Sequence, residues 1–199
     1  MEESQKLFDK CLVIGLVPTK QTYTSMIAGY CKVGNSTSAL RIFDRMVQCG
    51  CIPDSITYGA LISGLCKESR LEEARALYES MLDKHLVPCE VTRITLAFEY
   101  CSREKIGIVV SILDRLDKRK RTHTADALVR KLNAVGNLDG ASLFLKTVLD
   151  KDYTVDHVTY TNFISSCYNY NRYALSSEIS EKISKRISGF HKKDAAAIA

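Results

Sequence analysis

The sequence predicts an all-α fold: an α-solenoid of stacked 35-residue helix-turn-helix repeats forming a superhelix. Three observations carry that expectation. The only prolines of the 199-residue chain, Pro18, Pro53 and Pro88, stand 35 residues apart. Other positions keep the same step, with Tyr23 returning as Tyr58, Ala39 as Ala74, Met46 as Met81, Gly15 as Gly50, and Cys31 as Cys66 and Cys101. Within each period, apolar residues recur at i, i+3, i+4, i+7 and i+8 twice over, which is the pattern of two amphipathic helices.

Residues 1–19 read as the second half of a repeat, with Ser4, Leu7, Phe8 and Cys11 on one helical face and Gly15 and Pro18 in the following loop. In residues 20–54, Tyr23, Met26, Ile27, Tyr30 and Cys31 form a first helix face, and Gly34-Asn35 break it. Ala39, Ile42, Phe43, Met46 and Val47 form a second face. Gly50 can then supply the left-handed residue past the helix end, and Pro53 prevents continuation. Residues 55–89 repeat the scheme through Tyr58, Leu61, Ile62, Leu65 and Cys66, then Ala74, Leu77, Tyr78, Met81 and Leu82. Ser69 followed by Glu72 reads as a capping box opening the second helix.

Residues 90–121 form a degenerate, short unit. Leu96, Cys101, Ile112 and Leu116 keep register, but Asp117–Arg121 replace the Gly and Pro of the loop with charge. The step from Arg93 to Ala125 is 32, so three residues are missing from that loop. Residues 122–156 recover the full length, also in degenerate form, with Leu128, Val129, Leu132, Ala141, Phe144 and Leu145. Tyr160, Phe163, Ile164 and Cys167 open a terminal hairpin over 157–190, continued by Ile179 and Ile183, and 191–199 form a tail. A chain opening inside a hairpin reads as a C-terminal fragment or a truncated copy. No single hairpin can bury its apolar faces alone, so the units must stack.

Composition excludes several classes. No apolar run approaches the roughly 18 residues of a membrane span, and no membrane association is expected. Glu2 and Glu3 beside Met1 give neither a basic-then-apolar signal nor an Arg-rich, acid-poor leader. The net charge of +5 leans toward a polyanionic partner. Of the eight cysteines, Cys31, Cys66 and Cys101 occupy an apolar slot, and Cys49 with Cys51 lack zinc-ligand spacing, so neither metal nor other cofactor is expected. The four histidines share no constellation, and neither a phosphate loop nor a nucleophile elbow is present, so no catalytic residue is assigned and the chain reads as a non-enzyme.

Thr22-Tyr23 with Pro53-Asp54, then Thr57-Tyr58 with Ile62-Ser63-Gly64-Leu65-Cys66-Lys67 and Pro88, then Thr159-Tyr160, resemble the pentatricopeptide repeat. The plain 35-residue length resembles the purely repeat-built class of that family. The resemblance implies binding of single-stranded RNA at about one base per repeat. It implies that bases are read by the residue after the opening Tyr together with the last residue of the repeat: Thr24 with Asp54, associated in the family with guanine, then Gly59 with Cys89, Ile94 with Arg121, Asp126 with Asp156, and Thr161 in the last unit. Gly59 and Ile94 cannot hydrogen-bond a base edge. It further implies base clamping by Gln21, Ile56, Val91, His123 and Val158, and phosphate contact by Lys32 and Lys67, a slot that becomes Ser102, Ala134 and Asn169 further on.

By the same resemblance the chain acts as a monomer in mitochondria or chloroplasts, on the stability, processing or translation of a transcript, beside other organellar RNA-processing proteins. Two other readings stand next to RNA binding. One is a protein-interaction scaffold, which suits the degenerate slots Gly59, Ile94 and Ala125; the other is a truncated copy without independent RNA binding. Lys118-Arg119-Lys120-Arg121 reads as a basic loop, either solvated or in contact with phosphate.

Overall fold

A computed structural model describes residues 2–151 and 153–197, with side chains at 2, 4, 7, 11, 12 and beyond 185 outside that description. The expectations for Ser4, Leu7 and Cys11 therefore lie outside the described residues. The described residues form helices joined by short loops, without a strand. They fall into two compact units, Met1–Leu96 and Ala97–Ala199, with the division inside one helix.

In the first unit, α1 (Glu2–Val13) is followed by α2 (Lys20–Lys32), α3 (Ser36–Gln48), α4 (Ser55–Lys67), α5 (Leu71–Asp83) and the start of α6 (Glu90–Cys101). α2 packs on α3 within a hairpin and on α4 of the next, while α4 packs on α5 and α3. The first-helix faces bury completely: Tyr23, Met26, Ile27, Tyr30 and Cys31 in α2, and Tyr58, Leu61, Ile62, Leu65 and Cys66 in α4. On the second helices Ala39, Ile42, Phe43, Met46, Ala74, Tyr78 and Met81 are buried, whereas Val47 is exposed and Leu77 and Leu82 are half-buried. That second face is narrower than the periodicity suggests.

One aromatic contact repeats with the period. Phe8 meets Tyr23 edge-on at 5.4 Å, and Phe43 meets Tyr58 in the same way at 5.3 Å. Each pair locks a second helix to the first helix that follows it, a geometry worth about 0.5–1.5 kcal/mol beyond burial.

In the second unit come the end of α6, then α7 (Ile106–Asp114), α8 (Lys118–Ala134), α9 (Leu138–Asp150), α10 (His157–Asn169) and α11 (Tyr173–Ala197). α8 packs on α9 and α10, α9 and α10 pack on α11, and α7 packs on α8 and α9. Leu128, Val129, Leu132, Ala141, Phe144, Leu145, Phe163, Cys167 and Ile179 are buried.

Seven of the described helices, α2, α3, α4, α5, α6, α8 and α10, end in one way. After Cys31 of α2, the amide of Asn35 reaches back to the Tyr30 carbonyl and that of Gly34 to Cys31. The same pair of bonds closes helices at Gly50, Ser69, His85, Glu104, Gly136 and Asn171, each at positive φ. This is the Schellman turn. Its left-handed residue costs a non-glycine about 1–2 kcal/mol, so it is held by the two bonds and by the stacking around it.

Two expectations are corrected. Ser69 is not the N-cap of α5; it is the left-handed turn residue (φ 62°), and the N-cap is Arg70, whose guanidinium grips Glu73 at 2.7 Å through two nitrogens. Residues 118–121 are not a loop. They form an extra N-terminal turn of α8, with Asp117 as N-cap accepting from the Lys120 amide at 2.9 Å. Four cations at a helix N-terminus oppose the macrodipole, and Asp117 offsets this by also pairing with Lys120 at 3.0 Å. The boundary drawn at 121/122 thus falls inside α8, and the shortened loop leaves α7 with 9 residues against 13 in α3, α5 and α9.

Candidate nucleic-acid interface

The clamp slots face solvent, with Gln21, Ile56, Val91 and Val158 in the first turns of α2, α4, α6 and α10 and His123 one turn into α8. Ile56 is 71% exposed, Val91 67% and Val158 57%, and Gln21 and His123 are exposed as well. Those exposures remove the alternative that Ile56 and Val91 are core between repeats. A bare β-branched side chain on a polar helix start has lost hydrophobic stabilisation and gains it back only against a flat apolar surface. Within the first unit, Ile56 and Val91 occupy the same slot one period apart.

Thr24 and Asp54, expected from the resemblance to read a base, are joined by a third residue. Asp54 is the N-cap of α4, its Oδ1 accepting from the amides of Ile56 at 3.1 Å and Thr57 at 3.0 Å. The Thr57 hydroxyl also lies 3.0 Å from Asp54 Oδ1, and 2.9 Å from the Thr24 hydroxyl one hairpin earlier. Lys20 holds the other carboxylate oxygen at 3.0 Å. Burial alone would raise the Asp54 carboxyl; the Thr57 amide, the Lys20 ammonium and the Thr57 hydroxyl together hold it below the usual value.

The second pair repeats the scheme in reduced form. Cys89 Sγ lies 3.1 Å from the Thr92 hydroxyl, while a Cβ on Gly59 would come within 2.9 Å of that same oxygen. Gly59 thus leaves Thr92 no hydroxyl partner on the preceding hairpin. Asp126 and Asp156 meet directly, the Asp156 amide donating to Asp126 Oδ1 at 2.9 Å. Thr161 turns its hydroxyl back onto the His157 carbonyl at 3.0 Å. Arg121 donates to the Leu116 carbonyl at 3.0 Å and stacks on Tyr153 at 4.6 Å, so its guanidinium serves the α7–α8 turn. Ile94 is half-buried. Lys32 and Lys67 are exposed in the last turns of α2 and α4, where the helix dipole favours a cation.

No group of three or more His, Cys, Asp and Glu side chains suited to hold a metal is present among the described residues. None of the described helices is long and apolar enough to cross a membrane.

The model of the PPR repeat family matches residues 18–67, and that of the PPR repeat matches residues 56–86. Residues 18–86 carry pentatricopeptide repeats. Among solved structures it is similar to the pentatricopeptide repeat protein PPR10 from maize, at 20% identity and TM-score 0.65 over 93% of this chain. The structure of PPR10 in complex with an 18-nt psaJ RNA element is similar at TM-score 0.60, with 20% identity over 92% of this chain. In both cases this chain spans 27% of the other's length. No curated protein matches the sequence. At that identity the likeness establishes the helical-repeat fold, which is all-α and of the solenoid class.

The family matches cover residues 18–86, where the pentatricopeptide grammar is most regular. The residue that sequence reasoning missed is Thr57. A signal was present: Thr stands before the opening position of every unit, at 22, 57, 92, 124 and 159. All but the first of these are buried. A buried hydroxyl needs partners, which a residue serving only as a motif letter does not.

Proposed function

We propose that this chain binds single-stranded RNA, with contacts concentrated between Gln21 and Val91. The observation that carries the reading is the solvent-exposed placement of Ile56 and Val91, with Ile56 next to the Thr24–Thr57–Asp54 cluster. An apolar side chain packing on a base face has no sequence preference, while the cluster offers oxygen atoms to a base edge. Lys32 and Lys67 supply positive charge for the phosphates. The finer reading is that the chain acts by occupancy, as a monomer in mitochondria or chloroplasts, on the stability, processing or translation of a transcript, alongside other RNA-processing proteins.

Fluorescence anisotropy with labelled single-stranded RNA over a salt series tests this. Binding is expected at low salt, weakening with a logarithmic slope of about −0.7 per phosphate neutralised. Lys32→Ala with Lys67→Ala should shallow that slope by about one to two such steps. Absence of binding at low salt overturns the proposal. The protein-interaction scaffold is favoured by Gly59 and the half-buried Ile94, which carry no base-reading group; a partner captured equally with and without nuclease would support it.

A further inference from the structure

The Thr24–Thr57–Asp54 chain of oxygens has only two protons to distribute. An ionised carboxylate can only accept, and a hydroxyl donates once. The Asp54 carboxylate is held by Lys20 and by the amides of Ile56 and Thr57. The Thr57 hydroxyl, fully buried, therefore directs its single proton to Asp54 Oδ1 at 3.0 Å. With that proton committed, the 2.9 Å contact to Thr24 has one polarity: Thr24 donates and Thr57 accepts.

We propose that Thr57 is a positioning residue for base recognition, orienting the Thr24 hydroxyl so that Thr24 and Asp54 together offer a base only hydrogen-bond acceptors. The proposal rests on the RNA-binding reading above and adds to it a residue outside the reading pair. Guanine is the base whose Watson–Crick edge presents neighbouring donors, N1–H and the exocyclic amine. Adenine presents a ring acceptor beside its amine. Were Thr57 silent, the Thr24 hydroxyl would be free to rotate and donate, and adenine would gain a partner at the same slot. Discrimination between the two bases would then narrow with no contact between Thr57 and RNA.

The arrangement is specific to this repeat. Gly59 has no hydroxyl to orient, and the Asp156 amide engages the Asp126 carboxylate directly. Thr57→Val keeps the shape of the side chain and leaves the two amide bonds to Asp54 in place, so α4 retains its cap.

The test uses short oligouridylate strands carrying one central guanosine, inosine or adenosine, with anisotropy on the full chain and the variants Thr57→Val and Thr57→Ser. Wild type should prefer guanosine over adenosine, with inosine, which lacks the exocyclic amine, between them. Thr57→Val should lose roughly threefold to tenfold of the guanosine-over-adenosine ratio, and Thr57→Ser should keep it. Carbon-13 titration of the Asp54 carboxyl provides a reading independent of RNA: its midpoint should rise in Thr57→Val and stay in Thr57→Ser. If no strand binds the wild type, the RNA reading falls and this role with it. Binding with an unmoved ratio in Thr57→Val, or an unmoved Asp54 midpoint, overturns the Thr57 role alone.

Discussion

Gly64→Ala tests how tightly successive hairpins are stacked. Gly64 is buried in α4, where a Cβ would stand 2.6 Å from Cys31 Sγ, 2.7 Å from Cys31 Cβ and 3.0 Å from Ser36 Oγ. Unstrained carbon contacts lie at about 3.5–4.0 Å, so the neighbours must retreat by roughly 1 Å. One of them is a Cβ rooted in the α2 backbone, which cannot rotate away. Overpacking costs about 1–3 kcal/mol, and a blocking Cβ that cannot rotate away puts this site at about 2–3 kcal/mol, of which helical Ala over Gly returns about 1 kcal/mol. The net expectation is a loss of about 1–2 kcal/mol. Gly107→Ala is the control, since an added Cβ there meets nothing within 4 Å and should stabilise α7 by a few tenths to about 1 kcal/mol.

The two glycines sit in different units, so the assay must be local. Native-state hydrogen exchange read on peptides from α4 and α7 separates them. Exchange in α4 should accelerate about five- to thirtyfold in Gly64→Ala, and exchange in α7 should slow in Gly107→Ala. Cys31→Ala in the Gly64→Ala background should restore only part of the loss, because Cys31 Cβ remains in place. An α4 as protected in Gly64→Ala as in wild type would refute the close-stacking argument.

Two further outcomes follow from titrating groups. Burial alone would raise the Cys89 thiol, but the hydroxyl of Thr92 and the amides of Thr92 and Val91 hold it below the ordinary 9.0, whereas burial pushes Cys31 up to about 11 and Cys101 up to about 12. Since the thiolate is the reacting species, iodoacetamide should label Cys89 with a pH midpoint below 9 and leave Cys101 unlabelled in the native chain; equal rates at both would contradict the assignment. Glu68 reaches from the second hairpin to accept the Ser36 amide at 2.6 Å, completing the start of α3. Burial would raise its carboxyl, but Ser36 and Arg70 lower it. A depressed carboxyl stabilises above its unfolded pKa and loses that contribution as pH falls through the folded pKa. Glu68→Ala should therefore lower the thermal midpoint at pH 7, with the difference from wild type shrinking below about pH 4; a difference that persists in acid would refute it.

The fold was legible because the period is written twice, once in the prolines and once in the apolar faces. Tyr23 and Tyr58, and Cys31 and Cys66, fall where that pattern puts them. The turns were less legible. A left-handed residue announces itself as Gly at 34, 50 and 136, but Ser69, His85, Glu104 and Asn171 adopt the same conformation because bonding and stacking impose it. Ser69 misled for that reason, its hydroxyl suggesting a cap that the backbone does not form. Lys118–Arg121 misled through charge, which argued for a loop where Asp117 starts a helix. At the candidate site, the slots of Thr24 and Asp54 were readable by resemblance. The hydroxyl that joins them was not, since Thr57 lies 33 residues from Thr24 and only stacking makes them neighbours.

The most direct test of the proposed RNA interface is the affinity of Ile56→Asp with Val91→Asp for single-stranded RNA, compared with the thermal midpoint of the same variant. Both side chains are exposed, so stability should change by no more than about 0.5 kcal/mol per site. Affinity should fall at least about tenfold, through lost packing on base faces and added repulsion of phosphate. Unchanged affinity in a folded variant would show that RNA does not bind on this face.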